Sequence, residues 1–125
     1  MIRFPALAIC LFLSGTVNAH DAVITDGDKY KVILENEQVR VLEYRDQAGE
    51  KTHQHRHPAF VLYAVNAFKR TLTLPDGKVL AREFKPGDVM WSEAQTHIGE
   101  NVGQTDTHVI IVELKQGGVS GRDKR

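Results

Sequence analysis

The sequence predicts a small all-β domain, and three observations carry that prediction. Short runs rich in β-branched and aromatic residues recur along the chain, punctuated by Gly, Pro, Asn and Asp. No stretch keeps apolar residues at a 3.6-residue period for the length of a helix. The chain has 125 residues, enough for one core and one domain. Regularly spaced short strands of this kind form a sandwich or barrel.

The N-terminus has the order of a cleavable signal peptide over residues 1–19. Arg3 supplies the positive end, residues 6–13 form an apolar run, and Val17-Asn18-Ala19 carries small or apolar residues where signal peptidase cuts. The apolar run is too short to cross a bilayer as a helix. The expected product is secreted or periplasmic, begins at His20 and has no membrane span. It has no cysteine either, because Cys10 is the only one, so no disulfide holds it together. Stability must then come from core burial, helped by a bound metal or a partner subunit.

Residues 20–29 are polar, contain Asp26-Gly27-Asp28, and read as a loose lead-in. Strand-like text begins at Tyr30. Runs at 30–35 and 39–45 flank Asn36-Glu37-Gln38, and a longer run occupies 59–68. Runs at 70–74 and 78–84 flank Pro75-Asp76-Gly77, where Pro presets φ and Gly accepts a positive one. After a second turn at Lys85-Pro86-Gly87-Asp88 come runs at 89–92, 96–102 and 107–114. The domain is expected to span 30–115. Residues 116–125 hold three glycines and several charges without periodicity, and read as a flexible tail.

Composition excludes some functions. Lys+Arg and Asp+Glu both number 16, so the chain offers no net field to a polyanion. Aromatic residues are too few and scattered for a base-stacking platform. Nucleic acid is therefore not an expected partner.

The chemistry-bearing pattern is a set of histidines. His53, His55 and His57 alternate at i, i+2 and i+4, and on a strand such residues point to one face. Thr52, Gln54 and Arg56 then take the opposite face, toward solvent. Idle interior histidines are costly to bury, whereas converging imidazoles hold a divalent ion. Among the remaining histidines, His108 reads as a satisfied strand residue and His20 as incidental.

The spacing around these residues carries a family resemblance. Gly49, five residues, His55, one residue and His57 match the opening of the first cupin motif; His97, three residues and Asn101 match the close of the second. Strand–turn–strand text lies between them, so the chain resembles the small single-domain members of the cupin superfamily over roughly residues 30–115. The resemblance implies a single jelly-roll β-barrel of the RmlC-like kind. It implies one divalent metal ion, of the Fe(II), Zn, Mn or Ni class, held by His55, His57 and His97. His53 stands as a supporting residue or an alternative ligand. Asn101, sharing parity with His97, is expected to orient the ligand loop. The glutamate that cupins place four or five residues after the second histidine falls here on Val61 or Leu62, neither of which binds metal. Glu93 or Gln95 is a candidate replacement, although a loop position favours exposure. Tyr63 shares parity with His55 and His57, as a cavity group or as a core aromatic with its hydroxyl at the rim. Trp91 is expected to plug the barrel.

Two functions fit this expectation. One is oxygen-dependent cleavage of a small organic substrate, as in the cupin-like dioxygenases that hold Fe(II) with three histidines. The other is a module that holds a metal or small ligand without turning it over. Cupin-like barrels commonly pair, so the resemblance also implies a homodimer.

Overall fold

Alternation along nine short segments sorts side chains into an inner and an outer set, and this sorting builds the fold. The structure, a computed structural model, describes residues 20–116; the expected signal peptide and residues 117–125 lie outside them. The strands are β1 (Tyr30–Glu35), β2 (Val39–Asp46), β3 (His55–His57), β4 (Phe60–Ala64) and β5 (Phe68–Thr73). They continue as β6 (Val79–Phe84), β7 (Val89–Ser92), β8 (Gln95–Asn101) and β9 (Thr107–Leu114). All their pairings are antiparallel. They form a five-stranded sheet in the order β1-β2-β9-β4-β7 and a four-stranded sheet in the order β3-β8-β5-β6. This is the all-β jelly roll that the sequence predicts. No helix among the described residues is long and apolar enough to cross a membrane.

The turns follow from local chemistry. Asn36 folds its side chain back, so that Oδ1 accepts from the backbone of Gln38 (2.8 Å) and Val39 (2.9 Å) and closes the β1–β2 hairpin. Gly77 and Gly87 sit at φ +89° and +87°, a backbone region that side chains resist, and end the turns before β6 and β7.

The core lies between the sheets. Leu42, Tyr44, Phe60, Leu62, Val109 and Ile111 face it from the larger sheet, and Phe68 stacks on Phe84 at 4.7 Å between ring centroids from the smaller. Each fully buried large apolar side chain contributes roughly 1.5–3 kcal/mol. The same inner face carries polar groups. Asp46, Arg70, Asn101 and Thr107 are buried together at one end, and His55, His57 and His97 at another place in the interior.

The structure departs from the sequence reading in four places. The lead-in is not loose: Ala22–Thr25 forms one helical turn, α1, capped by Asp21, whose Oδ1 accepts from the Val23 backbone (2.8 Å). Ala22 and Asp26 are buried against the barrel. The long run at 59–68 is two strands, because the chain leaves one sheet for the other at residues 65–67. Asn66 pins that crossing, donating to the Asp106 carbonyl (2.6 Å) and accepting from the His108 backbone (2.9 Å).

Tyr63 and Trp91 both face outward, 46% and 51% exposed. Parity carried forward from His57 fails because Pro58 and Ala59 interrupt the strand, leaving Phe60, Leu62 and Ala64 as the inward set. Trp91 is no plug. It pairs with Val61 on the outer face and its Nε1 donates to Glu93 (3.0 Å). Leu34, Val41, Val112, Val61 and Trp91 stand in register across all five strands of the larger sheet, an apolar row on its outer side.

Candidate metal centre

β3 and β8 pair so that His55 lies directly opposite His97, and His57 follows two residues on along the same face. All three side chains are buried, with exposures of 4% or less. Each ring offers a nitrogen within 4.8 Å of those of the other two. Ring centroids are 4.8 Å apart for His55 and His57, 4.9 Å for His55 and His97, and 5.4 Å for His57 and His97.

The outer nitrogen of every ring is already engaged. His55 Nδ1 donates to the backbone carbonyl of His53 (2.9 Å), His57 Nδ1 to Glu113 Oε2 (2.7 Å) and His97 Nδ1 to Gln95 Oε1 (2.7 Å). Carbonyl and carboxylate oxygens only accept, so each Nδ1 carries a proton, and in a neutral ring Nε2 then keeps its lone pair. Such outer partners fix the tautomer and orientation of metal-binding imidazoles. Glu113 is itself held by Arg40 (2.7 Å), which also reaches Asp21 (2.8 Å) in the lead-in. Asp26 Oδ2 lies 3.5 Å from His55 Nδ1.

Burial holds two of the rings neutral. Burial, then the neighbouring His57, lowers the His55 pKa to about 4; burial, then His57 and His55, lowers that of His97 to about 2. A neutral imidazole is the form that binds metal. Inside the ring triangle, Tyr30 places its hydroxyl 3.3 Å from His55 Nε2 and 3.4 Å from His57 Nε2. Burial pushes that hydroxyl well above its ordinary pKa, so Tyr30 is a neutral donor to these lone pairs. Three preoriented imidazoles buried together are a donor set that fits a divalent transition metal.

Comparison with solved structures identifies the architecture. The chain superimposes on a cupin domain from Bordetella pertussis Tohama I with a TM-score of 0.63 and 26% identity, covering 69% of this chain and 91% of that one. The protein has the cupin fold. An RmlC-like cupin family protein with a double-stranded β-helix fold from Methanocaldococcus jannaschii matches at TM-score 0.55 and 17% identity, over 68% of this chain and 77% of its own. The polyketide cyclase RemF of Streptomyces resistomycificus matches at TM-score 0.53 and 15% identity, over 68% and 63%. No family model matches the chain. No curated protein matches it either.

Within this cupin barrel the residues singled out from sequence take distinct places. His55, His57 and His97 meet. His53 does not join them: its side chain is 80% exposed and its Nδ1 donates to Asp26 (2.9 Å). The strand begins only at His55, so alternation does not extend back to 53. For the same reason Thr52 is buried rather than solvated; its hydroxyl accepts from the Gly99 backbone (2.9 Å). What position 53 supplies is its carbonyl, under His55. Gln95 opens β8 rather than standing in a loop, and it reaches the Nδ1 of His97 instead of taking a ligand's place. Asn101 is buried away from these contacts. It donates to Asp46 (3.0 Å) and Thr105 (2.9 Å) and so ties down the β8–β9 loop. His108 faces outward to Glu43 (3.0 Å).

Sequence reasoning missed Tyr30, Arg40, Asp26 and Glu113. Glu113 carried one usable signal, a carboxylate at the end of an otherwise apolar strand. Both parities of β9 are apolar between Val109 and Val112, however, so alternation could not assign the face.

A cavity of about 40 Å³ adjoins the rings, bordered by His57, His97, Tyr30, Arg70, Arg82 and Met90 among others. Gly99 keeps it open on one side. A Cβ there would stand 2.6 Å from Arg70 Nη2, so the guanidinium can lie across β8 only because position 99 has no side chain.

Proposed function

We propose that this cupin is an exported protein that holds one divalent metal ion on His55, His57 and His97 and acts on a small organic molecule. The observation that carries the reading is the shared orientation of the three rings: every Nδ1 is tied outward, and every Nε2 turns into a buried triangle, where the Tyr30 hydroxyl lies beside two of them. An ion so bound supplies Lewis-acid polarisation and, if it is iron, oxygen chemistry at its open coordination positions. The protein's part is to hold the rings neutral and oriented, to exclude water through the apolar wall that Phe60 and Met90 contribute, and to present the Tyr30 hydroxyl as a hydrogen-bond donor at the same point.

Within this reading we assign oxygen-dependent cleavage of a small substrate as the activity. The alternative is a binding module without turnover, favoured by the small cavity. Elemental analysis of the purified mature protein should find about one divalent ion per chain; a metal-free protein prepared without chelators removes the proposal. Oxygen uptake by Fe(II)-loaded protein, screened against small acids, thiols and diketones, separates the readings. Uptake with any of them supports the dioxygenase, and none across the panel supports the module.

Export rests on the order of residues 1–19, and cleavage after Ala19 is checked by N-terminal sequencing of protein recovered from outside the cytoplasm. Pairing into a homodimer through the outer apolar row is the companion proposal, since a sheet face of this kind gains by self-association about a two-fold axis.

A further inference from the structure

The cavity beside the histidines is charged in one direction only. Arg70 and Arg82 border it, and no Asp or Glu does. Adjacent strands β5 and β6 set these two arginines directly opposite one another, on the inner face shared with Leu72, Leu80, Phe68 and Phe84. Like charges directly opposite on one face weaken a sheet, so the arrangement needs a compensating partner.

Arg70 has one. Its Nη1 is 3.4 Å from Asp46, and its guanidinium lies over the Tyr44 ring at 5.1 Å. Arg82 has none among the described residues. Its one side-chain hydrogen bond runs to the Ala81 carbonyl on its own strand (3.1 Å), and it makes no ion pair. Arg82, partly buried at the edge of an apolar cavity and with no carboxylate paired to it among the described residues, is open to an anion.

We propose that Arg82 recognises the carboxylate of a small organic acid, with Arg70 adding to the positive field and the acid's carbons filling the space between Arg82 and His97. The planar guanidinium fork matches a carboxylate in two hydrogen bonds. The size of the acid follows from the cavity: at about 40 Å³ it has room for roughly three waters. An acid of about two carbons fits that space, and a bulky aromatic acid does not. This inference rests on the metal reading above for the site's use, because the divalent charge would add to the same positive field.

The test is a ¹⁹F NMR titration of fluoroacetate and of fluoroacetamide, its neutral isostere, against zinc-loaded and metal-free protein, with zinc content measured on the same samples. The acid is expected to bind at least tenfold more tightly than the amide. Arg82→Gln should remove that tenfold preference, while Arg82→Lys retains part of it. Thermal midpoints and zinc content should match those of the unaltered protein, since Arg82 makes no ion pair whose loss would disturb the fold. Equal binding of acid and amide, or full acid binding by Arg82→Gln, overturns the inference. Zinc uptake without acid binding also overturns it and leaves the metal reading standing. Failure to take up zinc sinks the metal reading instead. Arg82-dependent acid binding by that protein still supports carboxylate recognition.

Discussion

Each of the three rings depends on a different kind of acceptor, so their substitutions should separate. His55→Ala and His97→Ala each remove a nitrogen from the triangle, and metal content should fall to a small fraction of the original. His108→Ala, which loses only the contact with Glu43, should leave it unchanged. Elemental analysis of the three variants reads this directly, and equal losses from all three would break the assignment. Glu113→Gln keeps an acceptor for His57 Nδ1 but removes the charge that faces both the ring and Arg40. Changes to such supporting groups cost about 10–100-fold in metal affinity. A chelator competition should therefore show a loss of about that size for Glu113→Gln, with the fold retained.

At the scale of elements, the lead-in is where sequence and structure part company, and it yields the next prediction. Asp26 is 1% exposed and accepts from the His53 backbone (3.1 Å), the His53 ring (2.9 Å) and the Thr25 hydroxyl (2.8 Å). Burial alone would raise its carboxyl pKa; the Thr25 and His53 bonds outweigh that and hold it below the usual range. Asp26→Ala strips the acceptor from three donors at once, and buried donors left unpaired cost about 1–3 kcal/mol. A urea midpoint indistinguishable from the parent's would mean that this docking contributes nothing. The strands were legible because they rest on local facts, β-branched runs and turn residues; His55 and His57 were legible from their alternation, and His97 from the second motif of the cupin resemblance. The lead-in was illegible because ten residues with only Ala22, Val23 and Ile24 apolar carry no period, and its order comes from tertiary bonds such as that between Asp21 and Arg40. Tyr63 was misplaced for a related reason. Parity holds only within an unbroken strand, and Pro58 resets it. Arg82 left no trace at all, since its meaning comes from the residue opposite it.

At the scale of the whole molecule, two solution properties follow. His55 and His97 titrate below the ordinary histidine value of about 6.5. In the unfolded chain they take up protons first, so acid favours unfolding. The metal-free protein should therefore keep its full stability above about pH 6.5 and lose it progressively as pH falls toward about 4, the value to which His55 is lowered. Urea unfolding at a series of pH values checks the sign, and a rise in stability across that interval would contradict it. The second belongs to the proposed pairing into a homodimer. The outer row from Leu34 to Trp91 crosses the whole five-stranded sheet without a charge. Placing a carboxylate in it, as Trp91→Glu does, should shift sedimentation from dimer to monomer while leaving metal content intact.

The outward bonds of the three rings bear on timing. One acceptor comes from the peptide just before β3, one from the start of β8 and one from the end of β9, nearly the last described strand residue. No partial chain lacking its C-terminal strand can present all three lone pairs together. Under the proposed metal reading the cation would be captured late, from whatever pool surrounds the polypeptide when its final strand docks, and the place of folding would choose the ion as much as the ligands do.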